Sequence, residues 1–207
     1  MNYILASKSP RRSEILQNLG IPFRVVTADT DENSSLTDPC ALVEELSRRK
    51  GEAVRQKLLS EGEELLGTVI ISSDTVVATA EGEILGKPKD TADAERMLRL
   101  LSGTTHQVIS GIALLSLKKS SVSSEVTDVR FSPLSESDIS LYIASDEPYD
   151  KAGAYAVQGM ASLWIDGLGG DYFNVVGLPV KRLHDMLFED FGIDVAPMVF
   201  QNTDRQV

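Results

Sequence analysis

Near its start the chain carries a short apolar run, Tyr3-Ile4-Leu5-Ala6, that breaks off at Ser7-Lys8-Ser9-Pro10-Arg11-Arg12. Pro10 has no N–H to lose and a φ already suited to a first helical turn, so it predicts a helix running to Leu19. Strand, small polar turn and helix start form an α/β unit. Its turn gathers unpaired N–H groups and the positive end of the helix dipole. The two adjacent arginines oppose that dipole, which by itself favours acids in the first turn. A polyanion would repay their repulsion, and phosphate oxygens match guanidinium forks bidentately. The alternative is that Arg11 and Arg12 are solvated residues after a capped helix start.

The rest of the chain keeps strand and helix patterns in alternation. Phe23-Arg24-Val25-Val26 predicts a short strand, and Asp38-Pro39 a cap and first residue for a helix to about Glu61. Thr68-Val69-Ile70-Ile71 predicts a buried strand that ends at Ser72-Ser73-Asp74-Thr75. Val76-Val77-Ala78 and Glu83-Ile84-Leu85 flank Glu81-Gly82 as a hairpin, and Thr91 is read as the cap of a helix that Gly103 ends. Strands are expected over Gln107–Leu117 and Ser121–Phe131, then a capping box at Ser135 for a helix to about Ala144. Leu163-Trp164-Ile165 is a last strand, and Pro179 opens a closing helix to about Phe191. The expected fold is α/β: one domain over residues 1–207, its tail from about residue 193 loosely held.

A chain of 207 residues with net charge −11 lacks the broad basic footprint that a nucleic-acid polymer needs. A small phosphorylated ligand in a locally basic cleft remains open. No apolar stretch reaches membrane-spanning length and no secretion signal is visible, so a cytoplasmic protein is expected. Cys40 is a lone cysteine, and His106 and His184 have no metal-binding spacing, so a histidine-based zinc site is not expected.

Four further features bear on chemistry. Asp74 and Thr75 are read at the C-terminal end of an apolar strand, the edge where open α/β sheets bind ligands. Lys50 lies on the long helix, and Lys87 sits in Gly86-Lys87-Pro88. The segment Asp150–Gly159 follows neither helix nor strand period, and its Gln158 amide could read the edge of a base. The glycines of residues 169–177 permit close backbone approach, and that segment is read as the entry loop of the last helix. Cations (Arg11, Arg12, Lys50, Lys87), acids (Glu32, Asp74) and an anion-binding turn are the mixture that phosphoanhydride hydrolysis needs.

These segments resemble the Maf family of nucleoside triphosphate pyrophosphatases, the septum-formation-inhibitor proteins. The resemblance rests on Leu5–Arg12, Ser73–Val77, Ile84–Lys89, Leu101–His106, Asp150–Tyr155 with Gln158-Gly159, and Asn174–Pro179, in order along the chain. It implies a central mixed sheet flanked by helices, two lobes and a deep cleft, as in inosine triphosphatase. It further implies hydrolysis of a nucleoside triphosphate to the monophosphate and pyrophosphate with Mg²⁺, Mn²⁺ or Co²⁺. By the same resemblance Ser7, Arg11, Arg12, Lys50 and Lys87 bind phosphates, and Asp74 is the catalytic acidic residue, as general base or metal anchor. Glu32 is then a second metal-facing acid, and Arg11, Thr75 and Gln158 bear on nucleotide choice. The Asn174–Pro179 form is similar to the branch acting on dTTP and UTP, with modified pyrimidine nucleotides as further substrates. A 7-methyl-GTP or purine pyrophosphatase, and a nucleotide-binding regulator of cell division, are the alternatives, and the family leaves room for a homodimer. Ser72-Ser73 stands where the family often has Gly-Ala, and Gly51 where Ala is usual.

Overall fold

The computed structural model describes residues 1–201. The elements in chain order are β1 (Asn2–Leu5), α1 (Pro10–Asn18), β2 (Phe23–Val25), α2 (Pro39–Ser60), β3 (Thr68–Ala78), β4 (Ile84–Leu85) and α3 (Thr91–Leu101). They continue with β5 (Thr105–Leu115), β6 (Ser120–Phe131), α4 (Glu136–Ile143), β7 (Ile165–Gly169), α5 (Tyr172–Val176), α6 (Val180–Phe191) and α7 (Ala196–Gln201). Three short 3₁₀ turns lie between α4 and β7.

The strands form one mixed sheet in the order β2-β1-β3-β5-β6-β7, with β4 paired to β3. β1 runs parallel to β2 and β3, and all later pairings are antiparallel. Side chains alternate between faces, so Tyr3, Leu5, Val69 and Ile71 enter a core with α1 and α6. Ile4, Ala6 and Ile70 enter the opposite core, under Val54 and Leu58 of α2. The expected α/β class with helices on a central mixed sheet is what the chain adopts.

Caps set the helix limits. Asp38 accepts the Ala41 N–H at the start of α2, and Ser135 with Asp138 closes the expected capping box on α4. At α3 the capping side chain is Asp90, not Thr91, because Asp90 is the residue whose carboxylate reaches the Asp93 N–H.

Three elements depart from the sequence reading. β3 does not stop before Asp74: it continues to Ala78, since β5 pairs with it from Ile70 to Ala78. Leu163 and Trp164 belong to a 3₁₀ turn, and β7 begins only at Ile165. The segment expected to be an entry loop holds helix α5, capped by Asp171 and ended by Gly177 in the left-handed conformation. In the tail, Ala196–Gln201 is helical and Val195 is buried, while 202–207 lie outside the described residues.

A third core lies under α3 and α4, and His106 on β5, 1% exposed, packs against its Phe131 and Tyr155. Its Nε2 is 2.8 Å from the Tyr155 hydroxyl, and its ring meets Phe131 and Tyr155 edge-on. Burial holds the imidazole neutral, with its pKa pushed down to about 4. The unfolded chain takes up that proton below about pH 6.5, whereas the folded chain waits until about 4. Stability is therefore expected to fall by up to about 3 kcal/mol as pH drops through that window. Urea midpoints between pH 7 and pH 4 measure this slope, and His106→Gln should flatten it; an equal slope in the variant assigns it elsewhere.

Candidate active site

β1 and β3 pair only as far as Leu5 and Ile71, and β4 takes up the same edge of β3 again at Val77. Between those points residues 72–76 have β5 on one side and an open edge on the other. The Ser7–Arg12 turn leaves β1 where this gap begins. A cavity of about 1150 Å³ fills the gap, and Ser7, Arg11, Arg12, Glu32, Lys50, Asp74, Thr75, Lys87 and Gln158 all line it. Asp74 thus reaches the cavity from mid-strand; an unpaired stretch of edge, not a strand end, exposes it.

Strand alternation sends Asp74 and Thr75 to opposite faces. Asp74 faces α2, and Lys50 Nζ donates to its Oδ1 at 2.5 Å. The same ammonium lies 3.0 Å from Glu32 Oε1, so one cation holds both acids. Thr75 faces α1, where its hydroxyl accepts from Arg12 Nη2 at 3.1 Å. The Arg12 Nη1 also donates to Ser7 Oγ at 3.2 Å and its Nε to the Gly177 carbonyl at 2.7 Å. Every one of these acceptors is uncharged, so the guanidinium is fixed in place with its charge unspent. Burial pushes the Arg12 pKa down and the neighbouring Arg11 adds to that, while Asp74 and Glu32 pull it up.

Arg11 pairs with Asp150 at 3.2 Å across the cavity. Burial raises the Asp150 pKa, but Lys151 and Arg11 outweigh it and hold the carboxyl below its ordinary value. Lys87 also lines the cavity and makes no ion pair within the described residues. Gln158 is exposed in the wall, beyond a tight turn in which Gly153 and Ala154 both have positive φ. A Cβ on Gly153 would lie 2.8 Å from Val77 Cγ2, so only glycine lets the chain pass there.

Sequence reasoning missed several supporting residues. Arg49 donates to the carbonyls of Asp31 (3.2 Å) and Asn33 (2.8 Å), bracketing Glu32 and fixing its loop to α2. Ser110, fully buried on β5, lies 2.8 Å from Thr75 Oγ1 and donates to the Asn174 carbonyl at 2.9 Å. That leaves Thr75 to donate to Ser110 and accept from Arg12. No local pattern marks Ser110, whereas Arg49 stands beside Lys50 and Asp150 inside a segment already singled out. Lys8, Lys89 and Lys151 line the cavity as well, giving seven basic against four acidic side chains. A protein of net charge −11 therefore lines this cavity with an excess of positive charge.

The model of the family described as Maf-like protein matches residues 2–189. This chain belongs to the Maf family. A Maf relative from Symbiobacterium thermophilum named dTTP/UTP pyrophosphatase is 46% identical over 93% of this chain and 95% of its own. One of the same name from Caldanaerobacter subterraneus is 43% identical over 100% of this chain and 98% of its own. The solved Staphylococcus aureus Ham1 protein is similar at 16% identity and a TM-score of 0.45, over 63% of this chain and 72% of that one.

Among the described residues no group of three or more His, Cys, Asp or Glu could enclose a metal ion. The two acids that share the Lys50 ammonium, Glu32 and Asp74, nonetheless suit a hard cation that takes its remaining oxygens from phosphate and water. No helix among the described residues is long and apolar enough to cross a membrane.

Proposed function

We propose that this protein is a pyrophosphatase that hydrolyses dTTP and UTP to the nucleoside monophosphate and pyrophosphate. The observation that carries the reading is the Arg12 guanidinium, held by three uncharged acceptors on one side of a cavity whose other side bears Asp74. A fixed cation without an ion-pair partner, facing a carboxylate that Lys50 holds on the α2 side, suits a polyphosphate and the water that cleaves it. Full-length relatives carrying the name dTTP/UTP pyrophosphatase support the same assignment.

Arg12, Arg11, Lys87 and the hydroxyl of Ser7 bind the triphosphate. Asp74 accepts a proton from water as the water oxygen bonds to the α-phosphorus. The bond from that phosphorus to the bridging oxygen breaks, and the oxygen leaves with pyrophosphate, its charge met by the same cations. Lys50 keeps Asp74 and Glu32 together on the α2 side of the cavity. A divalent cation (Mg²⁺, Mn²⁺ or Co²⁺) held by Glu32 and Asp74 would supply further neutralisation of phosphate charge. Thr75, Arg11 and Gln158 bear on nucleotide choice.

A pyrophosphate-release panel over natural, modified and 7-methylated nucleotides tests this, with Mg²⁺ or Mn²⁺ and again after chelation. Release from dTTP and UTP, lost on chelation, is expected. Release confined to 7-methyl-GTP or purines would replace the substrate assignment, and none from any nucleotide would end it.

A further inference from the structure

Gln158 lines the cavity, yet its side chain makes no hydrogen bond within the described residues. An exposed side chain can choose between bases only if its backbone is fixed. The fixing group lies outside the cavity. Glu147 opens the 3₁₀ turn Glu147–Asp150, and its carboxylate reaches into the loop that follows Gln158. Oε2 accepts the Met160 N–H at 3.0 Å, while Oε1 accepts the Ala161 N–H at 3.5 Å and the Tyr142 hydroxyl at 2.8 Å. Tyr142 is 2% exposed and packs edge-on against Trp164, so the clamp is itself anchored in the α4 core. Contact is close enough that a Cβ on Gly159 would sit 2.2 Å from Glu147 Oε1. That explains the glycine at this position.

The other end of the same turn holds Arg11. Lys151 Nζ donates to the Glu147 carbonyl at 2.7 Å and pairs with Asp150, whose carboxylate bonds Arg11 at 3.2 Å. One five-residue segment, 147–151, therefore ties down the loop bearing Gln158 and the side chain of Arg11 together. We propose that Glu147 is a positioning residue for base recognition, setting the preference for pyrimidine nucleotides without touching the substrate. The inference rests on the pyrophosphatase reading above.

Glu147→Gln keeps the length of the side chain but gives one of the two acceptor positions to an NH₂ group. It cannot satisfy Met160, Ala161 and Tyr142 together. Loosening one fixed contact to the base is expected to raise KM for dTTP and UTP about tenfold, and to cut their preference over purine nucleotides by a similar factor. The kcat and the competitive inhibition by pyrophosphate, which carries no base, should stay within about twofold. A purely structural clamp would instead lower melting temperature and weaken pyrophosphate and nucleotides alike, and that result overturns the proposal. So does an unchanged base preference. If Glu147→Gln does not fold, Tyr142→Phe decides: the same selective loss, smaller in size, supports the role, and its absence rejects it. A wild-type protein that releases pyrophosphate from no nucleotide fails the functional reading itself and takes this inference with it.

Discussion

Asp74→Asn is expected to lower kcat for pyrophosphate release by roughly a thousandfold while leaving KM within a few fold. Asparagine has the same shape, so β3 keeps its pairing and the cavity wall keeps its outline. It cannot take a proton from water at neutral pH. Lys50 retains a partner in Glu32 at 3.0 Å, so no buried cation is stranded and the fold has no reason to respond. Arg12 touches Asp74 through no hydrogen bond, only through the field across the cavity, so the guanidinium should stay on Ser7, Thr75 and Gly177. Steady-state kinetics alongside pyrophosphate inhibition check this. Activity within tenfold of wild type would remove Asp74 from the chemistry and leave Glu32 as the acid to test.

The helices were largely legible in the chain because their ends are written in side chains. Asp38-Pro39 and the Ser135–Asp138 box are local signals with local causes. Asp74 is different. The change from Ile71 to Ser72-Ser73-Asp74 looks like the end of a strand, yet the backbone runs on to Ala78 because β5 offers partners there. What ends at Ile71 is the pairing with β1, and that is a fact about another segment. Candidate site residues could be chosen by motif, but not the connections among them. Ser110 lies 35 residues from the Thr75 that it orients, and Lys50 is 24 from Asp74. Contacts of that range depend on register and crossover, which no window of sequence contains.

Gly111→Ala is expected to destabilise the protein strongly although it adds a single carbon atom. Gly111 lies opposite Asp74 on β5, directly beneath α2. An added Cβ would sit 2.2 Å from the Val43 carbonyl oxygen, 2.4 Å from its carbon and 2.8 Å from the Glu44 nitrogen. All of these are backbone atoms of a helix, so no rotamer change relieves the clash, and α2 must lift from the sheet. Lifting it opens the contacts of Val43 with Val76 and Ile109, and it also draws Lys50 away from Asp74. The overpacking cost is about 3 kcal/mol, or roughly 10 °C in melting temperature for a chain of this size. Gly167→Ala is the comparison: its Cβ would meet only the tip of Arg130, at 3.4 Å, and should change melting by no more than a degree or two. Because α2 carries the lysine that gathers both acids, the Gly111 variant should also lose activity below its melting temperature. Full activity in a destabilised Gly111→Ala protein would mean that the Lys50–Asp74 contact does not depend on how closely the helix lies on β5.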